Sequence, residues 1–258
     1  MNANIKIVEI ESIEELLIQI EYLKSDCNFE KSWFRGIADE SYGLEPSIFR
    51  HPVEAVIEKL LLNRFSIRAL PFLKSEQNAV SYWDILFIMQ HYGLPTRLLD
   101  WSESALVGLA FSVIYREERH KGKNAGLWCL DPIKLNRDFV KSLNPSEPIP
   151  NITDKTVKRI QIYEDESIPV DFPIAVYGPH NNERIVAQKG VFTLFPFKDK
   201  FKLEDLVDSE KFLVKIIIKS NKVDFVKEQL LTLGITENNI YPGLESIAKE
   251  IKREILNA

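Results

Sequence analysis

The sequence predicts an α+β fold, a mixed or antiparallel central sheet flanked by helices, and three observations point there. Runs of strand length lie scattered between helical stretches and lack the regular strand-helix alternation of a doubly wound parallel sheet. No internal repeat, low-complexity tract or Gly-Ser linker divides the 258 residues, so a single domain over 1–258 is expected. With 45% hydrophobic and 28% charged residues, the chain has a globular composition and is long enough to bury a full core.

Taken in order, Ile5 to Ile10 alternates apolar and polar residues, which predicts a strand. Ser12-Ile13-Glu14-Glu15 follows as a capping box that opens a helix to about Leu23. Trp33 and Phe34 mark a buried strand with Arg35 at its end and Gly36 behind it, where a ligand or another backbone can approach closely. The plainer alternative for Arg35 is an ion pair with a surface acid. After an irregular segment holding Pro46 and Phe49, Pro52 precedes an amphipathic helix from Val53 to about Leu70.

Trp83, Leu86, Phe87 and Gln90 fall at helical spacing, predicting a helix from about Ala79 to His91 that Gly93 and Pro95 end. Leu98 to Trp101 reads as a short buried strand, and Ser102 or Ser104 caps a helix with Leu106, Leu109, Ala110 and Val113 facing inward. Gly126 to Leu130 is the next strand, with Asp131-Pro132 as its turn. Asn136 to Pro169 carries four prolines and one short helix near Asp154 to Tyr163, and reads as a covering loop or an insertion at about 136–170. Phe172 to Tyr177 is a strand, and Glu183 to Phe195 reads as two strands about Lys189-Gly190. Phe212 to Ile218 is a strand, Val223 to Leu233 a helix stopped by Gly234, and Pro242 opens a last helix to about Leu256.

Charge and motifs narrow the function. A net charge of −5 gives no overall basic field toward nucleic acid or anionic membrane, though a local basic groove remains open. Cys27 and Cys129 lack metal-ligand spacing and read as reduced thiols. With no secretory signal and no apolar run of about 20 residues, a cytoplasmic protein without a membrane partner is expected. The sequence has no Gly-x-Gly-x-x-Gly, no Walker lysine loop, no His-Glu-x-x-His and no Gly-x-Ser-x-Gly elbow.

What stands out is Gln90 to Phe111, which places His91, Arg97, Asp100 and Ser102 among large apolar residues. Unpaired buried polar groups cost about 1–3 kcal/mol each, so these must be paired or used. Arg97 and Asp100, three residues apart, are expected to form a buried bidentate pair. Gln188, an amide beside Gly190 in an apolar run, either contacts a ligand or caps its turn.

Phe34-Arg35-Gly36, the run Gln90 to Trp101, and Arg184 through Gln188-Lys189-Gly190 to Phe192 together resemble the FRG domain family, over about Ser32 to Ile251. More distantly, the chain resembles ADP-ribosyltransferase-like folds. There a strand with Arg-Gly holds the nicotinamide part of NAD, and a strand with Ser or Thr opens a helix of the type apolar-Ala-x-x-Phe. Arg35-Gly36 looks like the first element, and Asp100-Trp101-Ser102 before Leu106 to Phe111 like the second. Where such folds carry a glutamate on the nicotinamide ribose, this chain offers Gln188, with Glu183 five residues earlier.

The resemblance implies a protein that binds NAD or a related nucleotide, with ADP-ribosyl transfer or NAD hydrolysis as the candidate reactions. Its context would be bacterial stress or phage defence, with an unidentified protein or nucleic-acid target. Arg35 would hold phosphate or ribose, His91 or Asp100 would act as acid/base or orienter, and Gln188 would contact the ribose. Phe34, Gly36, Arg97, Ser102 and Glu183 would complete the cofactor site. A non-catalytic nucleotide- or protein-binding module with the same residues in an internal network is the competing expectation.

Overall fold

A computed structural model describes residues 5–51, 56–69, 71–72, 82–139, 145–152, 172–179, 183–196 and 200–256. The predicted helix starts at Val53 and Ala79 and the short helix at Asp154 to Tyr163 fall outside these residues.

Seven strands form one sheet in the order β1-β7-β4-β2-β3-β6-β5. They are β1 Lys6–Ile10, β2 Trp33–Ile37, β3 Leu98–Ser102, β4 Ala125–Leu130, β5 Ile174–Val176, β6 Gly190–Leu194 and β7 Leu213–Ile218. β1 lies parallel to β7, and every other pairing is antiparallel, so the sheet is mixed.

Side-chain alternation along the strands makes two cores. On one face, Phe34, Leu127, Cys129, Val214 and Ile216 meet three helices: α1 Ile13–Ser25, α4 Ala105–Val113 and α7 Val223–Thr232. On the other, Trp33, Leu99, Trp101, Trp128 and Phe212 pack with Leu135 of α5 Pro132–Phe139. The helix α2 Val56–Ala69 lies against α3 Tyr82–His91 through Leu62, Ile85 and Met89.

Local chemistry explains most boundaries. Ser12 caps α1 by accepting from the Glu15 amide, while the Glu15 carboxylate takes the Glu11 amide and not that of Ser12, so only half of the expected capping box forms. Ser104, of the two expected serines, caps α4. Asp131-Pro132 is not a turn between strands. Asp131 Oδ1 accepts the amides of Ile133 and Lys134 at 3.0 and 3.2 Å, and Pro132 occupies the first position of α5, where its missing amide costs nothing.

A second correction concerns residues 183 to 195. Only Gly190–Leu194 is a strand, and Glu183–Ala187 is a short helix, α6. Lys189, at φ 47°, turns the chain between them. Two further helices follow α7: α8 Glu237–Ile240 and α9 Leu244–Leu256.

Candidate functional site

The site begins with a fault in the sheet. β2 pairs with β4 over five residues, and β3 pairs with β6 over five, but β2 and β3 share the single pair Phe34 and Ser102. Beyond it the two strands diverge and leave a cleft between Arg35 and Asp100. The Arg35 guanidinium spans that cleft, Nη1 donating to the Asp100 backbone carbonyl at 2.7 Å. Arg35 therefore sits in the middle of β2 and not at its end.

Gly36 keeps the neighbouring layer close. A Cβ there would lie 2.0 Å from the Gly108 carbonyl oxygen, and one on Gly108 would lie 2.7 Å from Phe34 Cβ. These two glycines press α4 onto β2, so the close approach that Gly36 allows is by another backbone.

Together these elements enclose a cavity of about 220 Å³ lined by Arg35, Asp100, Phe111, Arg184, Gln188 and Tyr241, among others. A smaller hollow of about 50 Å³ adjoins it, shares Asp100, Arg184 and Gln188, and adds Gln90 and His91. The structure thus brings together Phe34, Arg35, Gly36, Asp100, Ser102 and Gln188, with His91 in the adjoining hollow.

Asp100 is exposed to the cleft, and its carboxylate is held from behind. Gln90 Nε2 donates to Asp100 Oδ2 at 2.7 Å. The Gln90 carbonyl accepts from Thr96 Oγ1, which in turn accepts the Leu98 amide at 3.2 Å. Both ends of the Gln90 amide are thereby fixed, and the run from Gln90 to Asp100 becomes a device for aiming one carboxylate.

Other expected residues take different parts. Arg97 does not pair with Asp100 and does not line the cavity. It is 1% exposed just before β3, its Nε 3.2 Å from Glu58 Oε2 and its Nη1 donating to the Phe195 carbonyl. Burial pushes the Glu58 carboxyl up, and the Arg97 guanidinium and backbone amide pull it back.

Ser102 donates to the Gln188 carbonyl at 2.7 Å and accepts the Ser104 amide at 2.9 Å, so its hydroxyl ties β3 to the Lys189 turn. Glu183 is exposed in the first turn of α6 and lies outside both hollows. Gln188 donates from Nε2 to the Ile240 carbonyl at 3.1 Å, a contact with a distant segment and not a cap of its own turn.

Trp101, Phe111, Arg184 and Tyr241 also line the cavity and were not among the expected site residues. Arg184, on α6, donates to the His91 carbonyl at 3.2 Å and to the Tyr241 hydroxyl at 3.1 Å, and its guanidinium lies 4.3 Å from the Tyr241 ring centre. Tyr241, just past α8, packs edge-on against Phe111 and Tyr115. Arg184 begins the third motif and so had a sequence signal. Tyr241 had none.

The electrostatics are unbalanced. Burial lowers the Arg35 pKa, Asp100 opposes this, and the nearby Arg50 adds to it, yet a guanidinium stays charged. Burial, helped by the charge of Arg184, also lowers the His91 pKa and favours its neutral form. Arg35 Nε is buried without a hydrogen-bond partner among the described residues. No group of three or more His, Cys, Asp or Glu among the described residues could hold a metal ion, and no described helix is long and apolar enough to cross a membrane.

Residues 30–121 match the FRG domain family, a region that carries Phe34-Arg35-Gly36 and the Gln90 to Trp101 run but stops short of the third segment. No curated protein and no solved structure matches the chain. The strand that supplies Arg35, the glutamine that aims Asp100 and the glycine pair under the cleft all lie within that match, which identifies residues 30–121 as an FRG domain.

Proposed function

We propose that the chain binds NAD or a related nucleotide in the cleft between β2 and β3. The observation that carries this reading is the single-pair contact of those strands, which leaves Arg35 and Asp100 facing one cavity walled by Phe111 and Tyr241. A guanidinium suits a phosphate, a carboxylate suits ribose hydroxyls, and aromatic walls suit a planar ring. The ADP-ribosyltransferase-like arrangement inferred from Arg35-Gly36 and from Asp100 to Phe111 supports the same ligand class.

Transfer or hydrolysis at the nicotinamide ribose would need negative charge beside the oxocarbenium-like carbon, an effect often worth several kcal/mol. Asp100 is the carboxylate available in the cavity, and Gln90 holds it in place. In the reactive version of this proposal Asp100 takes that role, with neutral His91 nearby as acid/base and Gln188 at the ribose.

Binding without turnover is the second reading. It is favoured by the engaged Gln188 amide and Ser102 hydroxyl and by the position of Glu183 outside the cavity. Thermal unfolding with NAD, followed by assay for free nicotinamide, tests both. NAD at about 100 times its dissociation constant should stabilise the protein by about 2.7 kcal/mol, and Arg35→Ala should remove that shift. Nicotinamide release selects the reactive version, and a shift without release selects the binding module. The absence of a shift with NAD, ADP-ribose and ATP would defeat the proposal.

A further inference from the structure

We infer that Arg35 and Arg184 together form a seat for a phosphate or diphosphate group, an inference that deepens the nucleotide reading and rests on the same cavity. The two guanidiniums line the same cavity, Arg35 from β2 and Arg184 from α6. Their hydrogen bonds go to neutral acceptors: the Asp100 backbone carbonyl for Arg35, and the His91 carbonyl and Tyr241 hydroxyl for Arg184. Among the described residues neither has a carboxylate within ion-pair distance, whereas Arg97 and Arg137 do.

A guanidinium carries five N–H donors, so most of the donor capacity of both residues is uncommitted. Two positive charges thus share one hollow with, among the described residues, a single carboxylate, Asp100, in a chain whose net charge is −5. The neighbours do not restore balance. His91 is held toward its neutral form by burial and by Arg184, and Arg50 adds positive potential at Arg35. A site built this way lowers its own energy by taking an anion, and guanidinium donors fit the oxygens of a phosphate.

Size refines the ligand. The cavity of about 220 Å³ falls below the roughly 300–1,000 Å³ of pockets that bury a whole drug-sized molecule. The seat therefore holds the charged part of a nucleotide, and the remainder extends through the adjoining hollow past Gln90 and His91 or out of the cleft.

Calorimetric titration with pyrophosphate, ADP-ribose and the uncharged nucleoside adenosine tests this, on the full chain and on Arg184→Gln and Arg184→Lys. Pyrophosphate and ADP-ribose should both bind, adenosine should bind far more weakly, and affinity should fall as salt rises. Arg184→Gln should weaken both anions by about 10-fold or more, and Arg184→Lys should keep part of that affinity. Unchanged ADP-ribose affinity in Arg184→Gln would overturn the seat while leaving nucleotide binding in place. Arg184-dependent binding of pyrophosphate without binding of ADP-ribose or NAD would keep the seat and remove the nucleotide reading. If Arg184→Gln does not fold, salt-independent affinity of the unaltered protein, or failure of both anions to bind it, overturns the inference.

Discussion

Arg35 lies within β2 and Arg97 immediately before β3, and the difference between their surroundings separates structure from site. Arg97 is 1% exposed and faces the carboxylate of Glu58, itself fully buried. Arg35 reaches across a break between strands to a single backbone carbonyl, with no carboxylate within ion-pair distance among the described residues. A buried charge that has its counter-ion is finished, and one that lacks it is kept at an electrostatic cost that a ligand can relieve. By this criterion Arg97 belongs to the scaffold and Arg35, with Arg184, to the cavity.

The largest expected effect breaks the finished pair. Glu58→Ala leaves the Arg97 guanidinium buried and uncompensated, and should cost about 3–5 kcal/mol in chemical denaturation. A loss below about 1 kcal/mol would show that Arg97 is solvated or paired elsewhere and would erase the contrast.

Next is the glycine contact beneath the cleft. Gly36→Ala places a methyl 2.0 Å from the Gly108 carbonyl oxygen, so α4 must lift from β2, at an expected cost of about 1–3 kcal/mol and a loss of ligand affinity. Full stability in this variant would mean that the helix yields freely and that Gly36 serves the ligand directly.

Asp100→Ala sharpens the comparison from the other side. Had Asp100 been the partner of Arg97, its removal would have been as damaging as that of Glu58. Instead it is exposed and loses one hydrogen bond from Gln90, so unfolding should change by about 1 kcal/mol or less while nucleotide affinity or turnover falls. Equal destabilisation in Asp100→Ala and Glu58→Ala would contradict the division of roles.

Sequence alone reached the sheet more readily than the partnerships within it. β1, β3, β4 and β7 were legible because alternation or unbroken apolar runs record which faces are buried. Glu183–Ala187 misled because Ile185 and Val186 are β-branched and read locally as strand. Packing of Ile185 into the core and the reach of Arg184 to Tyr241 favour a helical turn there. Asp131-Pro132 misled because the same two residues serve a turn and a helix start equally well.

At the site, Arg35, Asp100 and Gln188 stood out as polar residues among apolar neighbours. The pairing of Arg97 did not, because its partner lies 39 residues earlier on a helix that reads as plain and amphipathic. Nor could local sequence reveal Tyr241, which meets Arg184 across 57 residues of chain.

If uncompensated guanidiniums mark the ligand site and compensated ones do not, side-chain NMR will read the difference directly. The arginine Nε–Hε resonances, assigned by substitution, would be followed while ADP-ribose is added. The signals of Arg35 and Arg184 should move with saturable dependence on ligand, and the signal of Arg97 should stay in place. Movement of Arg97 with Arg35 and Arg184 unmoved, or no movement of any of the three, would contradict this reading.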